Sequence, residues 1–155
     1  LRPTPDRVRE TLFNWLGQDL HGLSCLDLFA GSGALGFEAA SRGAARVVMV
    51  DQSPPVVAAI EANAKILGAG ERVQIVRSDA IRFVASVASH YDVLFLDPPF
   101  HHGWIDRLAP LLVDVLAADG VIYAEAETLL AGCGNWRTVR HGRAGQVHYH
   151  LMRGA

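Results

Sequence analysis

At 155 residues, half of them apolar, 19% charged and with a formal net charge of −2, the chain fits one domain over residues 1–155 that can bury its own core. No apolar run approaches the ~20 residues needed to cross a bilayer, and Arg2, Asp6, Arg7, Arg9 and Glu10 interrupt any signal-peptide pattern. The near-neutral balance argues against an autonomous nucleic-acid binder with a basic footprint, and Cys25 and Cys133, lacking CxxC spacing, read as reduced thiols of a cytoplasmic protein.

Thr4-Pro5-Asp6 predicts a helix start, with Thr4 as the cap, Pro5 in the first turn and Asp6 facing the dipole. Val8, Leu12, Trp15 and Leu16 then recur at helical spacing until Gly17. Residues 23–29 read as an apolar strand that breaks into the glycine-rich stretch 30–36, followed by a helix to about Arg42. The alternation repeats: strand 46–50 ending in Asp51, helix 54–67, strand 72–76, helix 80–88, strand 91–96, helix 104–116, strand 120–124. The tail reads differently, as strands 136–141 and 146–152 flanking a turn at 142–145. Near-continuous apolar strands alternating with helices predict an α/β fold. The expected form is a mostly parallel, Rossmann-like seven-stranded sheet with helices on both faces and an antiparallel C-terminal hairpin.

Gly31, Gly33 and Gly36 satisfy GxGxxG between a strand and a helix, where glycines allow a tight turn and close approach of a ligand to the backbone. That pattern alone does not separate a dinucleotide from S-adenosylmethionine. Asp27, at the end of the first strand, favours the second, because its carboxylate suits the ammonium of a methionine moiety and would repel a pyrophosphate. Asp51, 15 positions after Gly36, can accept bonds from both ribose hydroxyls under either reading. Asp79, in Ser78-Asp79-Ala80, can accept an adenine amino group or simply cap a helix. The expected cofactor contacts are therefore Asp27, Phe29, Ala30, Gly31, Ser32, Gly33, Gly36, Asp51, Gln52, Ser53, Asp79 and Ala80.

Asp97-Pro98-Pro99-Phe100 follows the fourth strand. Two prolines remove two backbone donors and hold the chain extended, which leaves their carbonyls available as acceptors. The Asp97 carboxylate and the Pro98 carbonyl can then take both hydrogens of a planar amino group, and Phe100 can stack on the ring that carries it. An arylamine is a weak nucleophile, so alignment plus a carboxylate beside the developing positive charge is the chemistry required. Asp97, Pro98, Pro99 and Phe100 are the expected catalytic residues. The seven histidines show no metal-ligand spacing, and no metal is expected. Trp104, just after this loop, can border the pocket, whereas Trp15 and Trp136 read as packing residues.

With those residues in place, the chain resembles the bacterial 16S ribosomal RNA guanine-N2 methyltransferases, the family that modifies guanine 966 of the small subunit. The likeness runs through Arg2-Pro3-Thr4, Asp6 to Leu16, Asp27 to Gly36, Asp97 to Phe100 and Ala144-Gly145-Gln146-Val147. It implies S-adenosylmethionine as cofactor, N2-methylguanosine as product, and 16S ribosomal RNA in a partly or fully assembled small subunit as partner. It also implies Arg2, Thr4, Arg7 and Arg9 as substrate contacts. Such proteins usually carry a further basic segment ahead of the position of Arg2, so a preceding segment is expected before Leu1. His101-His102 stands where some of them carry arginines. The readings this must exclude are methylation of another planar amine (a DNA base or a protein glutamine amide), an NAD-dependent oxidoreductase, and a catalytically silent RNA-binding factor.

Overall fold

The computed structural model describes residues 4–154, so Arg2, one of the expected substrate contacts, lies outside the described residues. Helix α1 (Asp6–Leu16) precedes strand β1 (Ser24–Asp27), α2 (Ala34–Ser41), β2 (Arg46–Asp51), α3 (Pro54–Leu67) and β3 (Val73–Arg77). Next come α4 (Ala80–Ser86), β4 (Tyr91–Leu96), α5 (Trp104–Leu108), β5 (Leu116–Ala126), β6 (Gly132–Cys133), β7 (Trp136–Ala144) and β8 (Val147–Gly154). The strands form one sheet in the order β3-β2-β1-β4-β5-β8-β7-β6. The first five of that order pair in parallel, and β5, β8, β7 and β6 pair antiparallel. No helix of the described residues is long and apolar enough to cross a membrane.

The central strands are apolar along their length because both of their faces are covered. Cys25, Val47, Met49, Val93 and Phe95 pack with Leu12 and Phe13 of α1, Leu35 and Ala39 of α2, and Ile60 of α3. Their neighbours Leu26, Val48, Val50, Leu94 and Leu96 pack on the opposite face with Val84 of α4, Leu108 of α5 and Leu112. Strand order reverses between β1 and β4, so the chain leaves these two neighbours toward opposite faces and a crevice opens at their carboxyl ends. Asp27 and the 97–100 loop sit there. Both cysteines are free and buried; burial, then a nearby aspartate, pushes the Cys25 thiol up to about 12 and the Cys133 thiol up to about 11.

Three local expectations are corrected. Thr4 is not the cap of α1: the N-cap is Pro5, with no side-chain cap bond, and the Thr4 hydroxyl instead donates to Glu125 Oε2 at 2.9 Å. The hydroxyl proton is spent on a buried carboxyl oxygen rather than on solvent, which orients the side chain away from the helix end. The helix expected over 104–116 stops at Leu108 and continues as a 3₁₀ segment, Ala109–Asp114. Pro110 lacks the N–H that an α-helical ladder would use there. Finally, the sheet has eight strands, not seven. The additional one, β6, is two residues long, too short to leave a pattern, and pairs with Trp136 and Arg137. Trp136 packs as expected, buried with its Nε1 donating to the Gly120 carbonyl at 3.1 Å, and Trp15 stacks on Tyr149 at 5.4 Å.

Gly36 shows how the glycine motif joins helix to sheet. A Cβ built there would lie 2.7 Å from Met49 Sδ and 2.8 Å from its Cγ, and Met49 is itself fully buried. The third glycine therefore lets α2 press onto β2. Gly36→Ala is expected to lower stability by about 1–3 kcal/mol through overpacking, measured by urea denaturation. A smaller loss is expected when Met49→Ala is present in the same chain, since the trimmed side chain makes room.

Candidate active site

Four neighbouring strands carry an acid at or next to their carboxyl ends: Asp51 on β2, Asp27 on β1, Asp97 after β4 and Glu125 on β5. Because the strands run parallel, their carboxyl ends share one edge, and the acids line it in a row. Asp27 and Glu125 expose only 2% and 1% of their surface, so neither is solvated in the usual sense. Asp27 Oδ1 accepts one long bond from the Phe29 N–H, at 3.4 Å. Burial pushes its carboxyl up to about 8, reinforced by the charge of Asp97, opposed by the Phe29 amide, and raised further by Asp51 and Glu125. Desolvation there favours the proton, and a cation brought beside the carboxyl would offset that penalty.

The loop after β1 is shaped by its backbone. Ala30 N–H donates to Val50 O at 2.9 Å and Gly33 N–H to Ala30 O at 2.8 Å, while Gly31 and Gly33 take φ of 55° and 82°. Gly31 N–H also donates to Asp51 Oδ2 at 3.2 Å, and Ser53 N–H to Asp51 Oδ1 at 3.0 Å. Asp51 thus ties the loop to β2, with one further lone pair on each oxygen for a ligand hydroxyl. Ser53 is the N-cap of α3 and accepts from Val56 N–H.

A cavity of about 390 Å³ opens between these loops. Of the expected cofactor contacts, Asp27, Phe29, Ala30, Gly31, Ser32, Asp51, Gln52 and Ala80 line it. Gly33 and Gly36 stand behind the wall and shape it, and Ser53 and Asp79 are not part of the lining. Asp79 caps α4 by accepting from Ile81 N–H at 2.7 Å, and Ser78 lines the cavity in its place. Asp97, Pro98, Pro99 and Phe100 all line the opposite wall. Thr4 and Trp104 complete it, and Trp104 meets the Phe29 ring edge-on at 5.2 Å under the Arg107 guanidinium.

The arginines of α1 are placed differently. Arg9 pairs with Asp6 at 2.9 Å and approaches Glu38 at 3.9 Å, away from the cavity, and Arg7 is exposed on the first turn. Sequence reasoning missed Glu125, whose Oε2 accepts both from Thr4 and from the Tyr123 hydroxyl at 2.8 Å. Burial, then Glu125, raises the Tyr123 hydroxyl well above its ordinary range, so it stays a donor. In Glu125-Ala126-Glu127 either acid fits a strand tip, and only the pairing register distinguishes the buried one.

The family model described as conserved hypothetical protein 95 matches residues 1–153. The Escherichia coli protein named Ribosomal RNA small subunit methyltransferase D is 43% identical over 156 residues, covering 97% of this chain and 78% of that one. The solved yhhF protein of Escherichia coli superposes with a TM-score of 0.90 at 42% identity, over 99% of this chain and 88% of its own. An RNA methyltransferase from Salinibacter ruber, solved with S-adenosyl-L-homocysteine, shares the fold with a TM-score of 0.79 at 21% identity, over 98% and 93% of the two chains.

The raised Asp27 carboxyl has a consequence for the unliganded protein. An unfolded aspartate ionises near 3.8, the folded one near 8. Its contribution to stability is therefore full below pH 4 and declines as pH rises to 8, by at most about 1.4 kcal/mol per unit. Asp27→Asn removes that decline. The variant is expected to melt at a higher temperature than the wild type at pH 8 and to lose the advantage at pH 4, in calorimetric scans without ligand.

Proposed function

Since this chain belongs to the conserved hypothetical protein 95 family, we propose that it is an S-adenosylmethionine-dependent methyltransferase acting on the exocyclic N2 amino group of a guanine in 16S ribosomal RNA. The observation that carries the reading is one cavity walled by a buried, cation-seeking Asp27 on β1 and by Asp97-Pro98-Pro99-Phe100 on the adjacent β4. The name of the Escherichia coli relative supports ribosomal RNA of the small subunit as the substrate class.

The residues present fit the cofactor. Asp27 would meet its ammonium, Asp51 its ribose hydroxyls, and Phe29 with Ala80 the faces of its adenine. A dinucleotide suits the site poorly, because its pyrophosphate would face the row of acids. When bound, S-adenosylmethionine supplies a methyl group activated on a sulfonium. The chain's own part is orientation and charge. Asp97 and the Pro98 carbonyl accept the two hydrogens of the guanine amine and fix the direction of its lone pair. Phe100 stacks on the base. The Asp97 carboxylate stands beside the nitrogen as positive charge develops there, and takes the proton that becomes acidic only once the nitrogen is substituted. The extruded base costs a few kcal/mol of stacking, which the aromatic wall of Phe100 offsets in part.

Transfer of labelled methyl to small subunits lacking the modification, with recovery of N2-methylguanosine, tests the reading. Label in DNA or in a glutamine amide instead would replace it with methylation of another planar amine. Asp97→Ala is expected to lower kcat by about 10²–10³-fold while leaving S-adenosylhomocysteine affinity within a few-fold. Asp51→Ala should act the other way, weakening that affinity about tenfold or more through lost charge-assisted bonds. Titration calorimetry separates the two effects, and a variant that lost only kcat would remove the ribose assignment.

A further inference from the structure

Charge is divided unevenly along the chain. All 16 acidic residues lie within the first 127 positions, and residues 128–155 hold Arg137, Arg140, Arg143 and Arg153 with no Asp or Glu at all. None of these four arginines forms an ion pair among the described residues. They sit on the β7–β8 hairpin, whose turn is pinned by Arg143 Nε donating to the Gly145 carbonyl at 2.8 Å.

Strand register ties this hairpin to the site. Leu96 pairs with Ala124, Ala124 with His150, and His150 with His141, one line across four strands. One step further Glu125 pairs with Tyr149 and Tyr149 with Gly142, level with Asp97; a second step reaches Ala126, His148 and Arg143. Three strand spacings separate β4 from β7, or about 14 Å, a distance spanned by two or three nucleotides. His141, Arg143 and His148 alternate onto the face of Met152, the face against which Phe29 and Trp104 also pack. Arg140, past a bulge at Thr138, faces the other way. Beyond Thr138, whose N–H donates to the Ala131 carbonyl at 2.9 Å, no strand pairs with the outer edge of β7 among the described residues, so the edge past that point and the side chains of both its faces are open to one partner.

We propose that this hairpin is a phosphate-docking arm, which holds the RNA backbone beside the nucleotide whose base enters the cavity. The inference rests on the methyltransferase reading above. Chemistry fixes the partner's type: guanidinium groups without an ion-pair partner among the described residues, and peptide donors along an open edge, suit a run of phosphodiesters, and the acid-lined cavity next to them does not. The hairpin also explains how a chain of net charge −2 engages a polyanion, since the cations are sorted to one end of the sheet.

The alternative role for charged residues on an open strand is to block edge-to-edge association, and the test separates the two. A small-subunit ribosomal RNA transcript is titrated with wild type, with Arg140→Gln/Arg143→Gln, and with Lys65→Gln, an exposed cation on α3, at several salt concentrations. Calorimetry with S-adenosylhomocysteine checks that each variant is folded. The double variant is expected to bind RNA about tenfold more weakly near 150 mM salt, with a log–log salt slope smaller by about 1.4, roughly 0.7 for each single-strand phosphate contact. Its KM for RNA rises in step and its kcat at low salt stays near wild type, while Lys65→Gln leaves the slope unchanged. An unaltered slope in the double variant overturns the proposal, all the more if gel filtration shows it self-associating. An equal loss in Lys65→Gln overturns it too, as a general charge effect. A wild type that binds the transcript but methylates neither it nor small subunits removes the methyltransferase reading and leaves the arm tested by its slope alone.

Discussion

The structure depends on parallel strands delivering carboxylates to a single edge. Four strand ends in spatial succession carry Asp51, Asp27, Asp97 and Glu125, and two of these acids are almost wholly buried. Like charges so placed work against folding, and the apolar layers on both faces of β1, β2 and β4 supply the stability that tolerates them. The result is a cleft lined by carboxyl groups, which is unfavourable to phosphate.

The neighbouring elements serve that edge. The glycines after β1 let the backbone turn beneath a ligand, and Gly36 seats α2 tightly on Met49 so that the turn is rigid. Asp51 is a strut, accepting from the Gly31 and Ser53 N–H groups with its two oxygens. Glu125 draws Thr4 across the top of the sheet, which makes Thr4 part of the cavity wall. On the far side of β5 the sheet becomes antiparallel and carries Arg137, Arg140, Arg143 and Arg153, so acidic and basic strands lie side by side in one sheet.

Much of this was legible in the sequence, for identifiable reasons. Alternating apolar runs and glycine breaks marked the strands and helices because the core demands them, and the 97–100 loop announced itself through two prolines that only a special backbone path needs. What sequence could not show were choices among competing partners. Thr4 had a helix to cap and a carboxylate to bind, and the carboxylate lies 121 positions away. Arg9 reads as a substrate contact, and its pair with Asp6 and approach to Glu38 are neighbours that the sequence does not specify. Asp79 fits both a ligand and a cap, and its bond to Ile81 shows the cap in use. Pro110 is visible in the sequence, but whether it kinks, ends or tightens a helix depends on packing. The two-residue strand β6 carries no pattern at all.

The central claim is that Asp27 holds a proton in the empty cleft and gives it up to receive a cation. Calorimetry of S-adenosylhomocysteine binding at pH 7, repeated in buffers of different ionisation enthalpy, counts that proton directly. With the carboxyl pushed up to about 8, net release of protons, at most one per site, is expected at that pH, and none in a chain carrying asparagine at that position. A binding heat that does not vary with buffer in the wild type would contradict the account.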